Sequence, residues 1–420
     1  MEFRELNDQE FNEFTKIFPL KSIYQTQEYG LIMEQQKYTP LLLGLVDNSK
    51  VVGASLILVK KEEGFKYAYA PRGFILNYED FYLIKDFTAH IKNYLGKKGI
   101  IGIKINPMII RNIYDLNTQT KDTNPKYDLI FEALKQNGYY HLGYNNFFEA
   151  LKPRFEAIID LNKPLYELFK NVSKSYRTKI RSAIKNGIRT YRGNVNDLEY
   201  LHEFTKYRYP RGLDYFKDCF GFFLKRNMID LYYTKLDTKI YLKTIQDKLA
   251  SYENKSNQLN NLIMNKKTKY KHKLISKKIN IDKYLNQYRN ELISATNMLR
   301  NYPEGVVTSC ILLVKQDKEI TILMDGYAPN FKKLNSKHLL IWQIIEMHQK
   351  QGFTKFNLGG VSNITNDSNR YTGLDEFKLG FGAKMYEYAG DFELVTHKRN
   401  YNLYRNYVPL KKLIKSKLTK

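Results

Sequence analysis

Cysteine is almost absent from this chain of 420 residues, which contains only Cys219 and Cys310. Two cysteines exclude a disulfide framework and a cysteine-based metal site, and they are typical of a reducing compartment. No run of about 18 apolar residues occurs, so the sequence predicts no membrane-spanning helix. The first residues lack the basic and apolar regions of a secretory signal, and we therefore expect a cytoplasmic protein.

Several catalytic motifs are also missing. The sequence contains no G-x-S-x-G, no P-loop and no H-E-x-x-H. Its seven histidines are scattered without the spacing of metal ligands. We therefore expect neither a metal ion nor a bound cofactor.

Acidic residues are scarce relative to basic ones. The chain has 43 Asp and Glu against 68 Lys and Arg, which gives a formal net charge of +25. Such an excess favours polyanionic partners, namely nucleic acid, an anionic membrane surface or a phosphorylated substrate. The alternative is a solvated basic surface on a lysine-rich protein. A hydrophobic content of 43% supplies enough apolar residues for a core, which excludes global disorder.

Two stretches of the chain repeat the same order of predicted elements. The first consists of a strand–turn–strand hairpin, a helix and a buried strand, at 51–73, 81–99 and 100–107. The second has the same elements at 305–330, 337–352 and 354–360. A glycine follows the last turn of each helix, as expected for a helix C-cap. The pattern predicts two related α/β units.

A long helical segment separates the two copies. Residues 237–303 contain almost no glycine or proline, and apolar side chains recur along them at spacings of three and four. The two seams consist of Leu242, Ile245, Leu249, Tyr252, Ser256, Leu259 and Ile263, then Ile281, Leu285, Tyr288, Leu292, Ala295 and Leu299. We expect the basic stretch 265–273 to reverse the chain. The sequence thus predicts an antiparallel two-helix coiled-coil arm, since the outer faces are too polar for two core helices.

Two further segments concentrate positive charge. A predicted helix over 172–187 either contacts phosphates or forms a solvated surface. Its cations are Lys174, Arg177, Lys179, Arg181 and Lys185. The tail, residues 406–420, either lies on an anionic bilayer or docks on the protein. Its apolar stripe consists of Leu410, Leu413, Ile414 and Leu418.

Lys378 stands between Phe377 and a glycine-containing apolar run that ends at Phe381 and Gly382. A lysine buried among aromatic residues costs free energy unless its charge meets a partner. The question is therefore what Lys378 contacts. The alternative is that Phe377 belongs to the core while the lysine amine reaches solvent.

In their order along the chain, these features resemble the Fem family of non-ribosomal peptidyl transferases, the FemA-like and FemX-like enzymes that build peptidoglycan interpeptide bridges. The arm is also inserted at the place where that family has one. The resemblance covers nearly the whole chain. Its motifs are YQTQEY (24–29), FKYAYAPRGFILNYED (65–80), KPR (152–154), SYRTKIRSAIKNGI (175–188), RGLDYF (211–216), FNLGG (356–360) and GLDEFKLGFGAKMYEYAGDF (373–392).

The resemblance implies an α+β fold of two tandem acetyltransferase-like (GNAT-like) subdomains with the coiled-coil arm inserted in the second. It divides the chain into a first subdomain at 1–145, a second at 146–236 and 304–395, and the arm at 237–303. Residues 396–420 are expected to pack near the first subdomain.

The implied reaction moves Gly, Ala or Ser from an aminoacyl-tRNA to a stem-peptide or bridge amine of a peptidoglycan precursor such as lipid II. The enzyme would act in the cytoplasm or as a peripheral protein at the inner face of the membrane. Aminolysis of an ester needs alignment of the reactants and stabilisation of the developing oxyanion. The family's Phe-Lys motif assigns that stabilisation to Lys378, and it assigns Phe377 to the terminal adenine or the pocket wall.

The resemblance also implies residues that bind the acceptor. Arg211 and Tyr215 match the family's R-x-x-x-Y, with the arginine on a phosphate and the tyrosine on the precursor. Arg72 and Arg154 are either substrate-binding residues or members of structural ion pairs. The sequence identifies no general base.

Two positions depart from the family pattern. Met33 stands where many members have a lysine that meets precursor phosphates, and Asn106 stands where many have aspartate. Two other functions therefore stay open. One is an acyl-CoA-dependent N-acyltransferase, since single GNAT units commonly use CoA. The other is a non-catalytic relative that binds tRNA or a membrane.

Overall fold

The computed structural model describes residues 1–19, 21–208, 211–265, 269–363 and 371–418. The strands within them are β1 (Glu2–Glu5), β2 (Thr39–Asp47), β3 (Lys50–Glu62), β4 (Phe65–Ala70), β5 (Ile100–Ile105), β6 (Ile110–Asp115), β7 (Thr120–Thr123), β8 (Tyr139–His141), β9 (Phe155–Asp160), β10 (Ile188–Gly193), β11 (Ile229–Leu236), β12 (Val306–Gln316), β13 (Glu319–Tyr327), β14 (Lys355–Val361), β15 (Lys384–Tyr388) and β16 (Phe392–Val395).

The α-helices of the described residues are α1 (Asp8–Ile17), α2 (Gln27–Gln35), α3 (Phe81–Lys97), α4 (Tyr127–Gln136), α5 (Leu165–Asn171), α6 (Lys174–Lys185), α7 (Leu198–Thr205), α8 (Leu213–Leu224), α9 (Thr238–Met264), α10 (Lys271–Asn301), α11 (Ser336–Lys350), α12 (Thr372–Leu379) and α13 (Lys398–Leu418). No helix in the described ranges combines the length and the apolar character needed to cross a bilayer.

Two sheets repeat one topology. The first has the order β1-β2-β3-β4-β5-β16-β8, and the second begins β10-β11-β12-β13-β14-β9-β15 with the same succession of antiparallel and parallel pairings. The parallel pairs, β4–β5 and β13–β14, are each joined by a crossover helix, α3 or α11, as parallel strands require. The predicted duplication and the tandem GNAT-like fold are confirmed.

When the repeats are counted by their matching topology, the last strand of each repeat, β9 or β16, lies in the other sheet. β9 follows β8 along the chain but lies between β14 and β15, whereas β16 follows β15 but lies between β5 and β8. In addition, β6 and β7 extend the second sheet by pairing with β15. The sheets therefore depart from the expected boundaries at two places: residues 110–123 lie in the second sheet and residues 392–395 in the first. Local patterns missed this exchange because strand pairing depends on distant partners.

The arm is the antiparallel helix pair that the seams predict. Thr238 Oγ1 near the start of α9 donates a hydrogen bond to Tyr302 O beyond α10, at 2.7 Å. Towards the tip, Ser256 Oγ donates to Asp282 Oδ1 at 2.7 Å. Ser256, the polar residue in the first seam, is thus hydrogen-bonded to a carboxylate of the facing helix. Of the predicted turn at 265–273, residues 266–268 lie outside the described residues.

The first turns of α13 pack on the first sheet. The ring of Tyr404 in α13 stacks on Tyr67 of β4 with 5.5 Å between centroids, and the Tyr401 hydroxyl donates to Glu393 of β16. Residues 419–420 and the side chains of the predicted apolar stripe lie outside what the structure describes: Leu410, Leu413, Ile414 and Leu418.

A shared hydrophobic core joins the two subdomains. It brings Phe11 of α1 and Ile32 of α2 against Phe216 of α8 and Leu312 of β12, all of them buried. Burying side chains of this size stabilises by roughly 1.5–3 kcal/mol each. The two subdomains are thus held together along a continuous apolar contact, and the candidate site lies beside it.

Candidate functional site

Lys378 lies in the last turn of α12, beside the ends of β13 and β14. Its Nζ donates to the carbonyl oxygen of Gly360 at 2.7 Å. The nearby Asp325 carboxylate pairs with Lys337 instead, with 2.7 Å between Nζ and Oδ1. Burial lowers the pKa of Lys378 to about 8, an effect that Asp325 opposes and Lys337 reinforces. Lys378 is therefore a cation with only partial compensation of its charge, as oxyanion stabilisation requires.

Phe377 belongs to a cluster of rings on the other side of this lysine. Its ring meets His338 edge-on at 5.1 Å and Phe381 at 5.5 Å, and Lys337 Nζ lies 4.6 Å from its centre. Tyr176 of α6 closes the cluster by an edge contact with His338 at 4.6 Å. Phe377 thus forms part of the wall beside Lys378, and its contact with an adenine stays a prediction.

His338 is the histidine nearest to this cluster, and its environment keeps the ring neutral. Burial lowers its pKa to about 3, and the charges of Lys179 and Lys337 act in the same direction. A ring with so low a pKa is a poor proton acceptor near neutral pH. Sequence analysis identified no general base, and His338 does not supply one.

The basic helix α6 runs from the arm to the Lys378 helix. The Ser173 N–H before its first turn donates to Gly380 O at 2.9 Å, and Thr244 of α9 donates to Lys185 O at 3.0 Å. Within the described part of the chain, none of its five predicted phosphate contacts has a carboxylate within ion-pair distance: Lys174, Arg177, Lys179, Arg181 and Lys185. The helix therefore carries uncompensated positive charge from the arm to Lys378, and phosphate binding there stays a prediction.

Arg211 and Tyr215 lie together on a second surface of the site. The Arg211 guanidinium is exposed and stacks over the Tyr215 ring, 4.2 Å from its centre. Tyr215 is half-buried at the edge of the shared core, and burial raises the pKa of its hydroxyl. The two residues of the predicted acceptor motif are thus in contact, with the guanidinium free to face solvent.

Lys152 is a cation near this surface to which sequence reasoning gave no role. Its Nζ lies 2.9 Å from the ring centre of Tyr24 and 5.4 Å from that of Tyr29. The next residue, Pro153, packs on Gly360, where a Cβ would lie 2.7 Å from the proline ring. Lys152 is therefore linked through Pro153 to the carbonyl that holds Lys378. The KPR motif includes Lys152, but its contacts could not be predicted because Tyr24 and Tyr29 lie far away in sequence.

Arg72 and Arg154 form buried ion pairs. Arg72 pairs with Glu156 of β9 at 2.5 Å, and Arg154 pairs with Glu387 of β15 at 2.6 Å, with 3–4% of each arginine side chain exposed. Glu156 also accepts from Asn357 Nδ2 at 2.9 Å. The Arg72 pair joins the end of β4 in the first sheet to the second sheet. The structure thus favours the ion-pair alternative for both arginines, because their charges are already compensated away from solvent.

Asn106 and Met33, the two residues that depart from the family pattern, lie in different environments. Asn106 is 2% exposed, and its Oδ1 accepts the Arg72 backbone N–H at 2.7 Å. Met33 is half-buried and packs on the shared core, one helical turn after Tyr29 in α2. Asn106 therefore positions Arg72, while Met33 provides apolar packing near Lys152.

The chain is similar to known proteins along almost its whole length. The model of the FemAB family matches residues 6–408. Aminoacyltransferase FemA of Staphylococcus epidermidis is 24% identical, covering 98% of this chain and 100% of that protein. Lipid II:glycine glycyltransferase of Staphylococcus haemolyticus is 22% identical, covering 100% of this chain and 98% of that protein. The crystal structure of FemX aligns with a TM-score of 0.73 at 20% identity, covering 96% of this chain and 99% of that one, which supports the same fold.

Proposed function

The chain belongs to the FemAB family, and on that premise we propose that it transfers an amino acid from an aminoacyl-tRNA to a primary amine of a peptidoglycan precursor such as lipid II. The observation that carries the proposal is the position of Lys378. This partly compensated cation lies beside the start of the basic helix α6, since the Ser173 N–H before that helix donates to Gly380 O, two residues after Lys378. We assign Arg211 and Tyr215, which contact each other, to the acceptor side. A polyanionic donor and a phosphorylated acceptor would approach it from these two sides.

In the proposed reaction the acceptor amine attacks the carbonyl carbon of the aminoacyl ester. A C–N bond forms, the C–O bond to the ribose breaks, and the amine proton replaces the ester bond on the ribose oxygen, directly or through solvent. Lys378 would stabilise the oxyanion that develops between these steps. Phe377 would hold the wall of the pocket, and Arg211 with Tyr215 would bind the acceptor.

The positive helix α6 and the arm would hold the tRNA. Phosphate contacts favour lysine and arginine side chains without a carboxylate partner, and α6 presents five of them next to the base of α9. An acceptor that is lipid-linked would bring the protein to the inner face of the membrane as a peripheral protein. These partners are part of the proposal.

A single-turnover assay tests the proposal. Wild type, Lys378→Met and a control, Lys121→Met, are mixed with lipid II and radiolabelled Gly-, Ala- and Ser-tRNA. Lys121 also lies over a tyrosine, 5.7 Å from the ring centre of Tyr114, but on the exposed strand β7. We expect transfer of one label, a loss of roughly 100- to 1,000-fold in Lys378→Met, and no change in the control. Acyl transfer from acetyl-CoA alone, or tRNA binding without transfer, would overturn it.

A further inference from the structure

Lys152 has surroundings that a purely structural lysine does not need. Its ammonium lies over the faces of Tyr24 and Tyr29, and among the described residues it has neither a hydrogen-bond acceptor nor a carboxylate partner. Lys152 as a whole is half-buried. The side chain therefore places its amine against two aromatic faces.

The neighbouring charges make this position unfavourable for a lysine in the free protein. Burial lowers the pKa of Lys152 well below its usual value, and Arg72 and Arg211 add to the effect, while Glu156 opposes it. Glu156 itself is already bonded to Arg72 and Asn357. An apolar side chain of similar length would pack against the two tyrosines without this cost. A lysine at such a place is most simply explained by a ligand that brings negative charge.

The position of Lys152 indicates which ligand. Through Pro153 it adjoins Gly360, the residue whose carbonyl accepts from Lys378. On its other side, Lys152 is close enough to Arg211 for the two charges to influence each other. An acceptor that extends from Arg211 to the reacting ester beside Lys378 would pass Lys152 on its way.

We propose that Lys152, supported by Tyr24 and Tyr29, binds an anionic oxygen of the acceptor, either a carboxylate of its peptide or a phosphate. This inference rests on the proposed function, because the acceptor is the substrate defined there. Lys152 would then fix the acceptor between Arg211 and Lys378 and align its amine for attack. Its role would be binding, since the proposed function assigns stabilisation of the oxyanion to Lys378.

Equilibrium binding tests this proposal without relying on turnover. Isothermal titration calorimetry compares wild type, Lys152→Met, Lys152→Arg and the control Lys121→Met. Three soluble acceptors are used: a nucleotide-linked muramyl pentapeptide, the same pentapeptide without nucleotide or phosphate, and that peptide with its side-chain carboxylates converted to carboxamides. Thermal unfolding of each variant shows whether it is folded, and we expect Lys152→Met to be at least as stable as wild type.

We expect Lys152→Met to weaken binding of the nucleotide-linked acceptor by roughly 10- to 100-fold, as for loss of a charged hydrogen bond. Lys152→Arg should retain most of the affinity, and the control should equal wild type. A similar loss with the phosphate-free peptide, but none with the carboxamide peptide, identifies a carboxylate as the ligand. A loss confined to the nucleotide-linked acceptor identifies a phosphate.

Three outcomes overturn the inference and are distinguishable. If wild type and Lys152→Met bind all acceptors equally, Lys152 is structural, while the proposed function stands. If wild type binds none of the acceptors, both the inference and the choice of a peptidoglycan precursor as substrate are wrong. A Lys152→Met variant that binds more tightly would also contradict the proposed attraction.

Discussion

The segment 152–156 contains two kinds of cation only two residues apart. Arg154 is buried and pairs with Glu387, whereas Lys152 lies over tyrosine rings without a carboxylate partner in the described residues. Arg72 and Lys378 repeat the contrast: Arg72 is paired with Glu156, whereas Lys378 has, among the described residues, only a carbonyl oxygen within hydrogen-bond distance. The Arg72 pair joins the two sheets, and the Arg154 pair joins neighbouring strands of the second sheet. The burial of the two lysines without a carboxylate partner in the described residues costs the fold free energy.

This comparison predicts that removing the two kinds of cation will change stability in opposite directions. The largest effect is expected for Arg154→Met, because Glu387 would be left buried without its closest cation. Removing one partner of a buried pair typically costs about 3–5 kcal/mol, and we expect a loss at the lower end of that range because Arg111 remains 3.2 Å from Glu387. Guanidinium unfolding of wild type and variant measures the change in the free energy of unfolding. The double variant Arg154→Met, Glu387→Gln should recover part of the loss, and equal stability of wild type and Arg154→Met would contradict the contrast.

Lys378→Met should instead raise the free energy of unfolding, by about 1–2 kcal/mol near pH 7 after allowance for solvent screening. The sign follows from the pKa of Lys378, which is lowered to about 8 in the folded protein. Below that pH the folded state must hold a proton that it disfavours, so wild-type stability improves as the pH rises from about 8 towards 10.5. Unfolding measured across this window should show the rise in wild type and its loss in Lys378→Met. An equally stable or less stable variant would show that the lysine is structurally paired.

The charge of Lys378 should also appear in the pH dependence of transfer. If the protonated amine stabilises the oxyanion, the single-turnover rate of wild type falls as the pH rises through about 8. Well above that pH, the rate should fall by roughly tenfold for each pH unit. Lys378→Arg keeps its charge in this range and should lose the alkaline limb. Hydrolysis of the aminoacyl ester, measured without acceptor, provides the control. An unchanged limb in the arginine variant would assign it to another group.

The smallest effect is expected on α6, where the cations are solvated. Arg181→Gln should leave the free energy of unfolding within about 0.5 kcal/mol of wild type, because no carboxylate loses a partner there. It should weaken tRNA binding several-fold and reduce the slope of log affinity against log salt by about one. Filter binding over a range of salt concentrations measures both quantities. An unchanged slope would mean that α6 makes no phosphate contact at this position.

The sequence predicted the features that depend on local pattern. The duplicated hairpin, helix and strand and the seams of the arm follow from spacing within short segments. The environment of Lys378 could not be predicted from the sequence, because Asp325, Lys337 and Gly360 come from three different elements. Whether an arginine is paired depends on such distant partners, which is why Arg72 and Arg154 were left with two alternatives.

Because β9 and β16 each lie in the sheet of the other repeat, the first sheet can be completed only after almost the whole chain has been synthesised. The first sheet contains residues from the beginning of the chain, but its sixth strand is Phe392–Val395. During synthesis, β5 and β8 therefore leave the ribosome long before β16, which must come between them. Each repeat lacks a strand when expressed alone, so a chain truncated before residue 392 would leave both edges of that gap open to aggregation. Neither repeat can therefore complete a sheet from its own strands alone.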